Sequence, residues 1–160
     1  MKIIGIDPGK TGWYCLLDSE TRIASASKLP FREDGILDLE AMPTDFHIAY
    51  VEKVHVNSAF MPSAPAFVFG VAVGQILAWV SAYRYVHVTP AAWQKRAFSG
   101  ITKTKEKKSQ SKEAFAKLNP KQPFKKLDHN MCDAFLIAEH GLHENGVFIE
   151  GWTWKLKKES

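Results

Sequence analysis

The chain has 160 residues, 46% of them apolar, which suits one compact domain spanning 1–160 and excludes a two-domain enzyme. Its net charge of +4 is mild but segregated: between Lys95 and Lys126 eleven basic residues face two acids, so this stretch carries +9 and the rest of the chain −5. Such one-sidedness points to a polyanion-binding surface on an acidic body.

Residues 3–8 are a β-branched apolar run ending in Pro8-Gly9, and 12–18 form a second run after a short turn, which predicts a hairpin. Ile23 to Lys28 alternates as a third strand, and Leu29 to Asp45, with two prolines and a glycine, reads as a connector with one helical turn around Ile36 to Ala41. His47 to Val54 reads as a buried fourth strand interrupted by Glu52. Apolar residues at helical spacing from Ala64 to Tyr83 predict a long, largely buried helix, with Gly70 and Gly74 on one side to admit a close neighbour. A sheet or a partner subunit would fill that role, core packing being the commoner cause.

Residues 84–88 form a fifth strand, and Thr89-Pro90 is an N-cap followed by proline at the first position of a helix to about Phe98. The lysine-rich stretch Ser99 to Ser111 reads as a loop leading to a helix over Ser111 to Leu118. Pro120 and Pro123 break it, and Asp128 caps a last helix ending at Gly141. The tail after Gly151 either adds a strand or frays. Cys15 and Cys132 lie far apart without CxxC spacing and are expected to be reduced and buried. The first apolar run is too short for a signal peptide, and no apolar run approaches the about 18 residues of a membrane span. A cytoplasmic protein without a membrane partner is expected.

Three acids stand in apolar settings. Asp7 ends the first strand beside Pro8-Gly9, where turn chemistry is the competing explanation. Glu52 lies inside Tyr50-Val51-Glu52-Lys53-Val54, where burial without a partner or metal costs several kcal/mol. Asp133 interrupts the apolar stripe of the last helix, unless it faces solvent. His129, four residues earlier, is about 40° away around the helix axis and projects to the same point, and Asn130 shares that face. Oxygen-rich clusters of this kind suit Mg²⁺ or Mn²⁺ rather than zinc, and two such ions can cleave a phosphodiester. The sequence Gly5-Ile6-Asp7-Pro8-Gly9-Lys10-Thr11 is one residue short of a P-loop and precedes a strand, so a nucleotide-binding loop is rejected.

With Ile-Ile-Gly-Ile-Asp-Pro-Gly-Lys-Thr-Gly-Trp at 3–13, Val-Glu at 51–52, Phe-Gly-Val-Ala-Val-Gly-Gln at 69–75, Val88-Thr89-Pro90 before the lysine-rich loop, and Asp-Ala-Phe-Leu-Ile-Ala at 133–138, the chain resembles RuvC-type Holliday junction resolvases, most of all phage-type members. The resemblance implies an α/β, RNase H-like fold: a mixed five-stranded sheet with helices on both faces. It implies a homodimer that nicks a four-way DNA junction symmetrically, leaving 5′-phosphate and 3′-hydroxyl ends. Asp7, Glu52 and Asp133 fall on the family's first, second and last acidic positions. The family places Asp or His about three residues before the last Asp, where this chain has Asn130; His129 is the preferred substitute and Asp128 the alternative. Two Mg²⁺ ions per site, replaceable by Mn²⁺, would be held by these residues, with His129 positioning or deprotonating water. No small-molecule cofactor is implied. Lys103, Lys105, Lys107, Lys108 and Lys112 would contact phosphates rather than form a merely solvated loop, and Phe60 would stack at the junction centre or else pack on the following helix.

Three rivals remain. An actin- or sugar-kinase-like ATP binder opens with a similar motif but needs a second domain. An RNA-processing nuclease of the same fold would keep the acids, and a catalytically silent DNA-binding module would explain Asn130.

Overall fold

The computed structural model describes residues 1–54, 62–101, 107–119 and 127–156, with Leu156 described for its backbone alone. Phe60, Lys103 and Lys105 lie outside the described residues. The chain runs β1 (Lys2–Asp7), β2 (Trp13–Asp18), β3 (Ile23–Lys28), β4 (Ile48–Glu52), α1 (Ser63–Val80), β5 (Tyr85–Val88), α2 (Pro90–Ala97), α3 (Lys107–Leu118), α4 (His129–Glu144) and β6 (Thr153–Leu156).

One mixed sheet of order β5-β4-β1-β2-β3-β6 organises the domain. β1, β2 and β3 form the expected antiparallel meander, while β4 runs parallel to β1 and β5 parallel to β4. The five expected strands are joined by a sixth: β6 pairs parallel to β3, aligning Ile23 with Thr153, so the tail extends the sheet.

Alternation along β1 explains why the sheet is covered twice. Ile3 belongs to a core shared with α2, α3 and α4, whereas Ile4 and Ile6 belong to a core shared with α1 and the 29–46 connector. All three are fully buried, each contributing roughly 1.5–3 kcal/mol by burial. Gly5 lies under α4, where a Cβ would overlap the Ala134 carbonyl and the Ala138 backbone nitrogen. Its missing side chain lets strand and helix touch backbone to backbone. Gly141 also lies inside α4, packed on the Tyr50 ring, and the helix continues to Glu144 rather than stopping there.

Several local expectations change. Ile36 to Ala41 forms turns instead of a helical turn: Asp38 accepts from the backbone of Glu40 at 3.1 Å, and Gln75 of α1 pins the segment by accepting from Leu37 N and donating to the Gly35 carbonyl. α3 starts at Lys107, within the stretch expected to be loop.

The largest departure is α1. It buries Ala72, Ile76, Trp79 and Val80 but leaves Phe67 73%, Val68 49% and Val71 42% exposed. No atom lies within 4 Å of a Cβ built on Gly70 or Gly74, so core packing within the described residues does not account for the glycines. At 18 apolar-rich residues α1 also meets the length and composition of a membrane span, contrary to the expectation that no apolar run approaches that length. Its buried residues nevertheless pack on the sheet with Ile4, Ile6, Ala49 and Val51. Cys15 and Cys132 are buried and free, as expected.

Candidate active site

Parallel pairing sets two of the three acids side by side. Ile6 of β1 aligns with Val51 of β4, so Asp7 and Glu52 occupy the next position on adjacent strands, about 5 Å apart along the sheet. By the same alternation they share the Gly5 face, which α4 covers. α4 rests on Gly5 through Ala134 and Ala138, which carries Asp133 to the Asp7 end of the strand.

The electrostatics record this convergence. Burial pushes Asp7 well above the ordinary carboxylate range, and the charges of Asp133, Glu52 and Asp128 push it further. Asp133 is raised to about 6, by burial first and then by Glu52 and Asp128, against a hydrogen bond from Ser111. Its Oδ1 is buried with no hydrogen-bond partner. Glu52 is raised by burial, opposed by a hydrogen bond from Trp93 and by the charge of Lys107.

The start of α4 settles the environment of three further residues. Asp128 is the N-cap, as expected, its Oδ1 accepting from Asn130 N at 2.9 Å. Asn130 donates through Nδ2 to the Thr11 carbonyl at 3.0 Å, stapling α4 to the turn after β1. His129 is lowered by burial and by Lys108 and Lys112, with Asp128 opposing; its Nδ1 lies 3.9 Å from Asp128 Oδ1. The charge of Asp128 thus acts on Asp7 and Asp133, while the charges acting on His129 belong to α3 and to Asp128.

The donor set of Asp7, Glu52, Asp133 and Asp128 is all oxygen, and the orphaned Oδ1 of Asp133 lacks a partner that a hard cation would supply. The residues therefore fit such an ion in chemistry and charge. Among the described residues, however, no group of three or more His, Cys, Asp and Glu stands arranged to hold one.

An open cleft of about 540 Å³ adjoins Asp7, walled by the 8–12 turn, Val68 and Phe69 of α1, and Asn130. Gly9, at φ 135°, is left-handed, and a Cβ there would come within 3.1 Å of the Phe69 ring. Of the expected lysines, Lys107, Lys108 and Lys112 lie on α3 and act on Glu52 or His129, so these three border the start of α4 and the Glu52 end of β4.

Phe69, Trp93 and the stapling role of Asn130 escaped the sequence reading. Trp93 is 1% exposed and donates through Nε1 to Glu52 Oε1 at 2.9 Å; in sequence it is an apolar residue on a short helix. Asn130 did carry a signal, standing where a ligand was expected.

A second buried acid lies further along α4. Glu139, 6% exposed, receives His143 Nε2 at 3.1 Å, and Arg96 Nε lies 3.9 Å from its other oxygen. Arg96 also contacts His143 Nε2. These groups line a cavity of about 430 Å³ with Phe148 beside it.

No family model and no curated protein matches the sequence. Solved structures do. Thermus thermophilus RuvC in complex with a Holliday junction substrate superposes with a TM-score of 0.54 at 14% identity, covering 91% of this chain and 97% of that one. The T. thermophilus RuvC structure alone gives 0.53 at 15%, covering 92% and 98%. The yeast mitochondrial Holliday junction resolvase Ydc2 gives 0.51 at 14%, covering 86% and 76%. With its mixed sheet flanked by helices on both faces, the chain has the RNase H-like fold of the RuvC-type Holliday junction resolvases.

Proposed function

We propose that the protein is a metal-dependent endonuclease that resolves four-way DNA junctions by paired symmetric nicks. The observation carrying this reading is the meeting of Asp7, Glu52 and Asp133 at one end of two parallel strands, each raised in pKa. Burial is the main cause, and the charges of Glu52 and Asp133 on Asp7 and of Glu52 on Asp133 add to it; a cation would offset both. Asp7, Glu52 and Asp133 would hold Mg²⁺ or Mn²⁺, two ions per site, with Asp128 or His129 as the fourth donor. Of these two, Asp128 has the electrostatic link to the other acids. The ions would supply an activated water and stabilise the leaving 3′-oxygen, giving 5′-phosphate and 3′-hydroxyl ends.

Lys107, Lys108 and Lys112 would take the backbone phosphates beside the acids, with Lys103, Lys105 and Phe60 contributing from outside the described residues. A homodimer supported by the open, apolar face of α1 would supply two sites for two nicks. Such a protein would work in the cytoplasm. The test is cleavage of a labelled immobile junction, a matched duplex and an equivalent RNA, each with Mg²⁺ and with EDTA. Paired, Mg²⁺-dependent nicks on the junction alone are expected, whereas preferential RNA cutting assigns an RNA-processing nuclease. A silent DNA-binding module is the second reading, favoured by the lack of a ready ligand group among the described residues and by Asn130 bonded to Thr11. Junction binding without cleavage would establish it.

A further inference from the structure

Glu52 is fixed from two directions. In its backbone environment, Glu52 pairs with Val88 of β5, and Lys53 N donates to the Val88 carbonyl at 2.7 Å. Its side chain accepts from Trp93, at 2.9 Å, through Oε1. Chain order makes the two restraints one device. Val88 is followed by the Thr89 cap, whose side chain accepts from Ala92 N, and Pro90 opens α2, so the strand that holds the backbone of Glu52 leads within one turn to the indole that holds its carboxylate. The indole has little freedom: Trp93 is 1% exposed and meets Phe98 edge-on, with ring centroids 5.7 Å apart.

A carboxylate turns readily about its last torsion and can offer a cation one oxygen or two. We propose that Trp93 is a positioning residue for Glu52, its N–H holding Oε1 so that Oε2 alone is presented to the cation, which biases the site toward Mg²⁺ and Mn²⁺ over Ca²⁺. Mg²⁺ demands a compact octahedral shell, while Ca²⁺ accepts bidentate carboxylates and irregular geometry. An indole can donate but not accept, so Trp93 fixes the carboxylate in one sense. The inference rests on Glu52 being a metal ligand in the nuclease reading above.

Calorimetric titration of Mg²⁺ and of Ca²⁺ into the metal-free full chain tests it. Trp93→Phe keeps an aromatic ring but removes the donor; Phe98→Leu disturbs the ring contact and keeps the donor. Trp93→Phe is expected to weaken Mg²⁺ binding about tenfold, the lower end for loss of a group that orients a ligand, with Ca²⁺ affinity held within about twofold. Phe98→Leu should leave the ratio of the two affinities unchanged. An unchanged ratio in Trp93→Phe, or equal losses for both ions, overturns the proposal and reduces Trp93 to packing. Wild-type protein that binds neither ion overturns the nuclease reading, and this inference with it. Should Trp93→Phe fail to fold, the indole N–H resonances of the five tryptophans in metal-free Glu52→Ala supply the readout: one must move relative to wild type, and none moving overturns the proposal.

Discussion

The chain buries carboxylates in two places and treats them differently. Glu139 has the Arg96 guanidinium 3.9 Å from one oxygen and the His143 ring, kept neutral by burial, on the other, so its one counter-charge is part of the fold. Asp7 and Asp133 have other acids as their charged neighbours, and an oxygen of Asp133 has no partner. Arg96 offsets only part of the burial of Glu139, and His143 bonds its other oxygen, so the first cluster ties α2 to α4. The second keeps an electrostatic demand that something external must meet.

Breaking the second cluster should have the largest effect. Asp133→Asn is expected to abolish Mg²⁺-dependent junction cleavage while leaving junction binding within about twofold, since phosphate contacts are carried by the lysines. The same variant should be more stable than wild type in the absence of metal: relieving a buried carboxylate raised to about 6 removes a penalty on the order of 3 kcal/mol above pH 7. Gel cleavage, filter binding and thermal melting check the three parts together; loss of binding and of stability would make Asp133 a structural residue.

Next in size is the response to metal. At pH 8, Mg²⁺ should raise the melting temperature of the wild type and of Glu139→Gln alike, and should leave Asp7→Asn unmoved. Equal shifts in all three would place the ion elsewhere.

The pH dependence separates the clusters further. Asp133 holds its proton more tightly folded than unfolded, so the stability it contributes is full below about pH 4 and is lost as pH rises to about 6. Glu139, pushed up to about 7 by burial against the opposing Arg96, loses its contribution between about 4.5 and 7. Metal-free denaturation midpoints should fall across both windows. Asp133→Asn should flatten the lower and Glu139→Gln the upper.

The smallest effect concerns the rim. Lys107→Glu should weaken junction binding and reduce the slope of log affinity against log salt by about one, as one phosphate contact is lost. An unchanged slope would remove the start of α3 from the DNA surface.

What could be read from the sequence was largely local. Thr89 before Pro90 and Asp128 before the last helix announce themselves through cap chemistry, and the structure places each accordingly, while Asp7 stands out as an acid ending an apolar strand. β6 could not be read because Thr-Trp-Lys-Leu has no decisive pattern and its partner β3 lies far away in sequence. The burial of α1 was misjudged because an apolar helix looks the same whether its second face meets the core or a partner. The hydrogen bond from Trp93 was invisible because buried tryptophan is ordinary core material, and only the register of β4 against β5 brings its indole to Glu52. Helix periodicity put His129 on the face of Asp133, but a residue at the first position, next to a cap, takes its surroundings from the neighbouring helix as well.

The contact of Gly5 with Ala134 and Ala138 works as a spacer of zero thickness. Because the strand bearing Asp7 and the helix bearing Asp133 touch there, a single methyl group at position 5 would wedge them apart. The chemistry of the acids is therefore vulnerable through residues that have no chemistry of their own, and an inventory of inactivating substitutions should include Gly5 and Ala138 beside the carboxylates.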